Sequence, residues 1–165
     1  MLLLFVSAAI VACNKSDDDG GEDPTGGTGT LTAKIDGTNF TADIAVQAQI
    51  SAAGQGEALA ISGGTSQSEN LQMIIQGFSG EGTYNLNFTN IGTYSYIPDP
   101  SNPDPTTAVI YSTVNGTQSV GELNVSSYDG DTIKGTFSFT GYNLNDPNDT
   151  VSVTQGSFNL TVTNN

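Results

Sequence analysis

The chain divides into an apolar opening run, a polar segment and a long region of alternating residues. Residues 2–12 are almost all apolar, and residues 14–30 are rich in Gly, Asp and Thr, with one Pro, and have no apolar periodicity. From Leu31 onward, apolar and polar residues alternate between clusters of Gly, Asn, Asp and Pro. Such alternation predicts β-strands, and the clusters predict turns. We therefore predict one all-β domain over residues 31–165, an antiparallel β-sandwich or closed β-barrel of roughly nine to ten short strands.

The first two strands of this domain allow a register to be predicted. Pairing Ile35 with Phe40 brings the apolar faces of both strands together. The loop between them is then a two-residue type II′ turn at Gly37 and Thr38. The second strand keeps one apolar face from Phe40 through Ile44 to Ile50.

The last third of the chain gives a second set of register predictions. Matching the apolar faces sets Val125 opposite Gly135 and predicts a three- or five-residue hairpin around residues 129–131. Farther along, the apolar parity changes at Gln155 and Gly156. A change of parity within a strand predicts a β-bulge at that point.

The apolar opening run ends at a cysteine, and together they predict a cellular address. The run is shorter than the roughly 20 residues of a membrane-spanning helix and fits the apolar region of a signal peptide. The four residues that end at Cys13, Ile-Val-Ala-Cys, resemble a bacterial lipobox. The resemblance implies a signal peptide over residues 1–12, acylation of Cys13 and a flexible tether over residues 13–30. The alternative is a buried cysteine in a core helix.

The residues that follow Cys13 resemble the acidic export signal of surface lipoproteins of Bacteroidota. They are Ser16, Asp17, Asp18 and Asp19. The resemblance implies an outer-membrane lipoprotein exposed on the cell surface, with the membrane as a partner through the lipid on Cys13. The alternative interpretation is a solvated charge run in a flexible tether.

Composition narrows the chemistry that the domain has available. The chain has 17 acidic residues against three lysines, no His, no Arg and a net charge of −14. Nucleic acids and anionic headgroups are bound through basic patches, so we expect no nucleic-acid partner. Without His and Arg, Ser-His-Asp and Cys-His nucleophile systems and His-containing zinc sites are excluded. We therefore expect a non-catalytic domain.

Carboxylates are the remaining candidates for catalysis. A pair of them can hydrolyse a glycosidic bond, with one as acid and the other as base or nucleophile. The acids outside predicted turns form no recognisable motif, and solvated acids on strand faces and loops are the alternative interpretation. These acids are Asp43, Glu57, Glu69, Glu81 and Glu122.

We expect no cofactor, with calcium as the alternative. Calcium takes six to eight oxygen ligands from carboxylates, amides and carbonyls. None of the acidic clusters has EF-hand spacing, and Asp and Asn are also ordinary turn residues. The candidate ligands are Asp99, Asn102 and Asp104 in one loop and Asp129 and Asp131 in a hairpin, with a further cluster at residues 146–149.

Three tyrosines lie on either side of a proline-rich loop at residues 98–105. They are Tyr94, Tyr96 and Tyr111. Exposed tyrosines stack on sugar rings or anchor a protein partner. This surface is therefore the candidate for an extracellular glycan or protein partner. The alternative is tyrosines on a sheet whose hydroxyls reach water.

Two Asp-Thr-aliphatic triplets resemble the O-glycosylation acceptor of periplasmic and surface proteins of Bacteroidota. The acceptor hydroxyls would be those of Thr132 and Thr150. Three residues match by chance often, so the pattern is a hypothesis about modification.

Three strand patterns are similar to a family of uncharacterised Bacteroidota lipoprotein domains. They lie at residues 33–42, 128–140 and 151–159, and the resemblance covers residues 31–162. Members often have Trp where this chain has Phe40. The family has no assigned activity, so the resemblance implies the address and the all-β fold and supplies no site.

These observations favour a surface-tethered lipoprotein with a non-catalytic binding or interaction domain. Two alternatives stay open. One is a β-barrel carrier of a small apolar ligand, because the small side chains of Ala33, Ala42, Ala48 and Gly135 would leave internal room. The other is a carboxylate-dependent glycan hydrolase.

Overall fold

The computed structural model describes residues 28–54, 56–115 and 118–164. The all-β prediction is confirmed, with eleven strands instead of the roughly nine to ten expected from pattern. The signal peptide, Cys13 and the acidic residues 16–19 lie outside the described residues. In chain order the strands are β1 (Thr30–Ile35), β2 (Thr38–Thr41), β3 (Ile44–Ala53), β4 (Gly56–Gly64), β5 (Glu69–Phe78), β6 (Gly82–Leu86), β7 (Ile91–Tyr96), β8 (Val109–Ser112), β9 (Gly121–Tyr128), β10 (Thr132–Asn143) and β11 (Thr150–Asn164).

Helical structure in these residues is limited to two short 3-10 turns. They lie at Pro105–Thr107 and Thr113–Asn115, on either side of β8. Asp104 caps the first turn, because its carboxylate accepts a hydrogen bond from the Thr106 N–H. Within the described ranges, no helix has the length and apolar character needed to cross a membrane.

All eleven strands belong to one hydrogen-bonded sheet, in which β11 is the central element. One edge of β11 pairs with β10, and the other edge pairs with β1 and then with β3. From β3 the ladder continues through β4, β5, β7 and β8, and β8 pairs with the end of β10. The β11–β3 ladder is parallel, which corrects the expectation of a purely antiparallel domain.

The core is one cluster of buried side chains to which all eleven strands contribute. Contacts join strands that do not pair, since the Phe78 ring of β5 meets the Tyr128 ring of β9 with centroids 5.3 Å apart. On β4 and β5, alternate residues point inward as the period of two requires. Burying each such side chain contributes about 1.5–3 kcal/mol to folding. Fully buried examples are Leu59, Ile61, Leu71, Met73 and Ile75.

The predicted register of the β9–β10 hairpin is confirmed. Val125 lies opposite Gly135, and three residues, 129–131, connect the strands. Gly135 is needed because a Cβ there would collide with the Asn124 carbonyl oxygen and lie 2.5 Å from the Phe158 ring. The ring therefore occupies the space that a small residue at this position was expected to leave open.

The predicted bulge in β11 is also confirmed. The register against β10 shifts between the pairs Phe137–Gly156 and Phe139–Val153. Gln155 takes up the extra residue with a φ of 50°. The bulge lets the residues before and after it turn their apolar side chains to the same core although their parity differs.

The predicted register of the first hairpin is wrong by two residues. Ile35 pairs with Thr38 instead of Phe40. The turn consists of Asp36 and Gly37, whose φ values of 48° and 85° are both positive, as in a type I′ turn. A shift of two residues preserves the face of each side chain, so Phe40 is still buried.

The continuous strand predicted from Phe40 to Ile50 is interrupted. β2 ends at Thr41 and β3 begins at Ile44. Ala45 has a φ of 50°, and Ile44 is 53% exposed instead of facing the core. The interruption turns Ile44 toward the surface at one end of the sheet.

We expect Gly135→Ala to lower the free energy of unfolding by about 2–3 kcal/mol, because the added methyl group overpacks a site bounded by backbone. Gly56→Ala is the matched control, since the nearest atom to its added Cβ would be 4.0 Å away. The control should change stability by less than about 0.5 kcal/mol. Urea unfolding of both variants measures the difference, and equal stabilities would contradict the close packing around Gly135.

Candidate functional site

A pocket of about 360 Å³ opens to solvent where four strand ends meet. The start of β3, the end of β4, the start of β5 and the end of β7 lie side by side because neighbouring strands run antiparallel. The segment between β7 and β8 completes the wall. The lining residues are Ile44, Ala45, Gly64, Thr65, Ser68, Glu69, Asn70, Ser95, Tyr96, Ile97, Pro105 and Ala108.

The backbone of this pocket is held in an unusual conformation. Four described residues other than glycine have a positive φ, and two of them, Ala45 and Ser68, line the pocket with φ values of 50° and 65°. Residues other than glycine rarely adopt this backbone conformation, because their Cβ atom is crowded there. Backbone strain of this kind concentrates at functional sites, where the surrounding structure maintains it.

Two side chains hold the β4–β5 turn in place by accepting hydrogen bonds from it. Thr65 Oγ1 accepts the N–H groups of Gln67 and Glu69, each at 3.3 Å. From the β2–β3 connection, the Asp43 carboxylate accepts the Ser66 N–H at 2.9 Å and its hydroxyl at 3.2 Å. Asp43, a candidate for catalysis by sequence, therefore has a structural role in this turn.

Glu69 places a carboxylate in the wall of the pocket. Its Oε1 accepts the Tyr94 hydroxyl at 2.7 Å, and its Oε2 accepts the Thr65 hydroxyl at 3.2 Å. The side chain is half-buried. Two neutral donors therefore orient the carboxylate and leave further lone pairs to accept a hydrogen bond from a ligand.

The three tyrosines predicted as an interaction surface come together behind the pocket. The Tyr94 ring lies 6.0 Å from that of Tyr96 and 6.3 Å from that of Tyr111, measured between centroids. Tyr94 and Tyr111 are 6% and 8% exposed, so their ring faces are not available to a partner. Their burial corrects the prediction that these two tyrosines form an exposed surface. Tyr96 is half-buried and lines the pocket, so it is the tyrosine of the three that a ligand can reach.

Two tyrosine hydroxyls of this cluster donate hydrogen bonds to carboxylates. The Tyr111 hydroxyl donates to Asp149 Oδ2 at 2.9 Å, and the Asn143 amide donates to the same oxygen at 2.8 Å. The pKa of Tyr111 is raised to about 12, chiefly by burial and secondly by the hydrogen bond to Asp149. Burial and the bond to Glu69 likewise raise the pKa of Tyr94. Both phenols are therefore neutral at physiological pH.

The remaining candidate acids lie apart from the pocket. Glu57, Glu81 and Glu122 are exposed. Glu81 accepts the Tyr128 N–H at 3.2 Å, and Glu122 lines a separate pocket of about 310 Å³ beside the bulge at Gln155. Of the acids proposed for glycan hydrolysis, Glu69 is the one that lines the 360 Å³ pocket.

The candidate calcium ligands are engaged in their own turns. Asp99 accepts the N–H groups of Ser101 and Asn102, and Asp129 accepts those of Asp131 and Thr132. These bonds lower the pKa of Asp129, and the bonds from Thr106 lower that of Asp104. Among the described residues, no group of three or more His, Cys, Asp or Glu side chains is arranged to hold a metal ion.

The two candidate O-glycosylation sites begin strands. Thr132 is the first residue of β10 and is half-buried, with its N–H bonded to Asp129 Oδ1 at 2.7 Å. Thr150 is the first residue of β11 and is exposed. Glycosylation of either hydroxyl stays a prediction.

Several lining residues of the pocket were not predicted from the sequence. Ser68 and Ala45 have no residue-type signal for a positive φ, unlike Gly or Asn. Ile97 joins the pocket because its N–H donates to the Ser68 carbonyl at 3.1 Å, a contact between distant parts of the chain. Glu69 and Tyr96 were both singled out by sequence, but for different functions.

We expect the stability of the protein to fall as the pH rises from about 10 to about 12, because a tyrosine that keeps its proton in the fold loses it more readily when unfolded. The folded pKa of Tyr111 is about 12 against an ordinary 10.0, so unfolding releases a proton in this window. Tyr111→Phe should flatten this decline and cost about 1 kcal/mol at pH 7 by removing a hydrogen bond. Urea unfolding at pH 7, 10 and 12 tests both effects, and an unchanged slope in the variant would contradict the assignment.

The comparisons with known proteins identify a family. No curated protein matches the chain. Residues 27–160 match the family described as Domain of unknown function (DUF6252), and this range includes every residue that lines the pocket. The prediction of an uncharacterised domain family is thereby confirmed, and the chain belongs to the DUF6252 family.

Proposed function

We propose that the protein is a lipoprotein of a Bacteroidota bacterium, anchored in the outer membrane through Cys13 and exposed on the cell surface. Its DUF6252 domain is a non-catalytic module that binds a ligand in the pocket at the ends of β3, β4, β5 and β7. The Ile-Val-Ala-Cys sequence that ends at Cys13 and the acidic residues 16–19 support the address. The net charge of the whole chain is −14, which favours solubility in an extracellular medium.

One observation carries the binding proposal: the pocket coincides with the strained backbone at Ala45 and Ser68. Strain at such residues costs on the order of 1–3 kcal/mol each and persists where other contacts enforce it. For Ser68, Thr65 and Asp43 supply such contacts, because both accept hydrogen bonds from its neighbours in the β4–β5 turn. A volume of about 360 Å³ falls at the lower end of the usual range for small-molecule sites.

The residues around the pocket favour binding over catalysis. Glycoside hydrolysis needs two carboxyl groups at one site. Among the described lining residues, Glu69 is the one carboxylate, and the chain contains no His or Arg to supply a nucleophile system. The other side chains include the apolar Ile44, Ile97 and Ala108. Apolar walls with a few placed polar groups are typical of ligand sites.

We expect Ala108→Phe to abolish fragment binding, because the added ring fills the pocket that Ala108 lines. The test is a ligand-observed NMR screen of small fragments on the mature chain, from residue 13, with Cys13→Ser. Ala52→Phe is the matched control, since Ala52 is exposed on β3 away from the pocket. Fragments that bind Ala108→Phe as well as the control would place the binding site elsewhere.

We expect Cys13→Ser to remove both lipid labelling and membrane association, since Cys13 is the single cysteine of the chain. Metabolic labelling with a fatty-acid analogue and membrane fractionation measure these two effects. In a second variant, Asp17→Asn, Asp18→Asn and Asp19→Asn are combined. It should remain lipidated but become protected from protease added to intact cells. A triple variant that is still cleaved would contradict the role of these residues in export.

A further inference from the structure

We propose that the pocket binds an alkylammonium group, with its charge against the Glu69 carboxylate and its carbon stem along the apolar wall. The group is carried either by a free amine or by a lysine side chain of a partner. This inference rests on the proposed function, because it names the ligand class of the same pocket.

Charge is the first argument for a cationic ligand. Glu69 is the one charged side chain among the described residues that line the pocket. Of the two lysines in the described part of the chain, Lys34 lines a different pocket at β1 and β2, and Lys134 lies on β10. A ligand that covers Glu69 removes water from a carboxylate that no lining cation compensates. That desolvation is costly unless the ligand brings a positive charge.

The hydrogen bonds of Glu69 are the second argument. Its two oxygens accept from the hydroxyls of Tyr94 and Thr65, at 2.7 and 3.2 Å. Both donors are neutral, so they orient the carboxylate without neutralising it. Hydrogen bonds between an ammonium group and a carboxylate are about twice as strong as those between neutral groups. The carboxylate is therefore preorganised for a donor that carries charge.

The apolar wall is the third argument, because it favours a ligand that has a hydrocarbon stem in addition to a positive charge. Ile44, Ile97 and Pro105 line the pocket together with the half-buried ring of Tyr96. Lysine-like stems bury their methylene groups along such surfaces while the charged head stays at a polar site. An ammonium group close to the Tyr96 ring would also gain a cation–π interaction.

The first test compares hexan-1-amine with hexan-1-ol on the mature chain carrying Cys13→Ser. The two probes share the stem, and at pH 7 the amine is protonated. Methyl NMR shifts of Ile44 and Ile97 locate binding and give each Kd, at about 0.15 M salt to screen the general attraction of an acidic protein. We expect the amine to bind about tenfold more tightly. Equal affinities for the two probes would overturn the inference, and this comparison needs no variant that might fail to fold.

The second test removes the charge of Glu69. Glu69→Gln should raise the Kd of hexan-1-amine about tenfold and leave the Kd of hexan-1-ol unchanged. Glu57→Gln is the matched control, because it removes the same charge from an exposed residue of β4 outside the pocket. An amine affinity reduced equally by both variants would indicate general electrostatic attraction and would overturn the inference.

A third probe distinguishes the two sources of the group. Tighter binding of Nα-acetyl-lysine amide than of hexan-1-amine would support the lysine of a protein partner, and weaker binding would support a free amine. If hexan-1-ol and neutral fragments shift the pocket methyl groups but neither amine does, the ligand class is wrong and the binding site stands. If no probe or fragment shifts them, the proposed function fails as well.

Discussion

The pairing of the long strand β11 along both of its edges holds the sheet together. Its 15 residues pair with β10 along one edge and, along the other, with β1 and then with β3. The bulge at Gln155 divides the strand into two parts. A β-bulge bends a strand and increases its local twist, so the two parts can run in different directions. Residues 48–50 of β3 pair with the end of β11. The end of β11 therefore determines where β3, and the strands β4, β5 and β7 that follow it in the ladder, cover the core.

The pocket is a consequence of how those four strands end. Their antiparallel order brings Glu69 at the start of β5 beside Tyr94 near the end of β7. The buried ring of Tyr94 packs against Tyr111, whose hydroxyl is tied to Asp149 in the connection that precedes β11. A chain of buried aromatic and polar contacts thus supports the Glu69 carboxylate from behind. Such support favours recognition, because a positioned carboxylate loses little freedom when a ligand binds.

The domain combines two electrostatic properties that act at different distances. The chain as a whole has a net charge of −14, and this charge raises the local concentration of cations around the protein. Glu69 is partly desolvated in the pocket, where an interaction with a charge is stronger than on the open surface. The long-range field accelerates encounter, and the pocket supplies the selectivity for a stem.

Short-range sequence patterns account for part of this structure. The all-β class, the pairing of Val125 with Gly135 and the bulge at Gln155 could be predicted from the sequence, because alternation and its interruption are local properties. The parallel ladder between β3 and β11 and the burial of Tyr94 could not be predicted in this way, since both depend on segments far apart in the chain. The same reason explains the site: sequence singled out Glu69, but the pocket around it exists only where four strand ends meet.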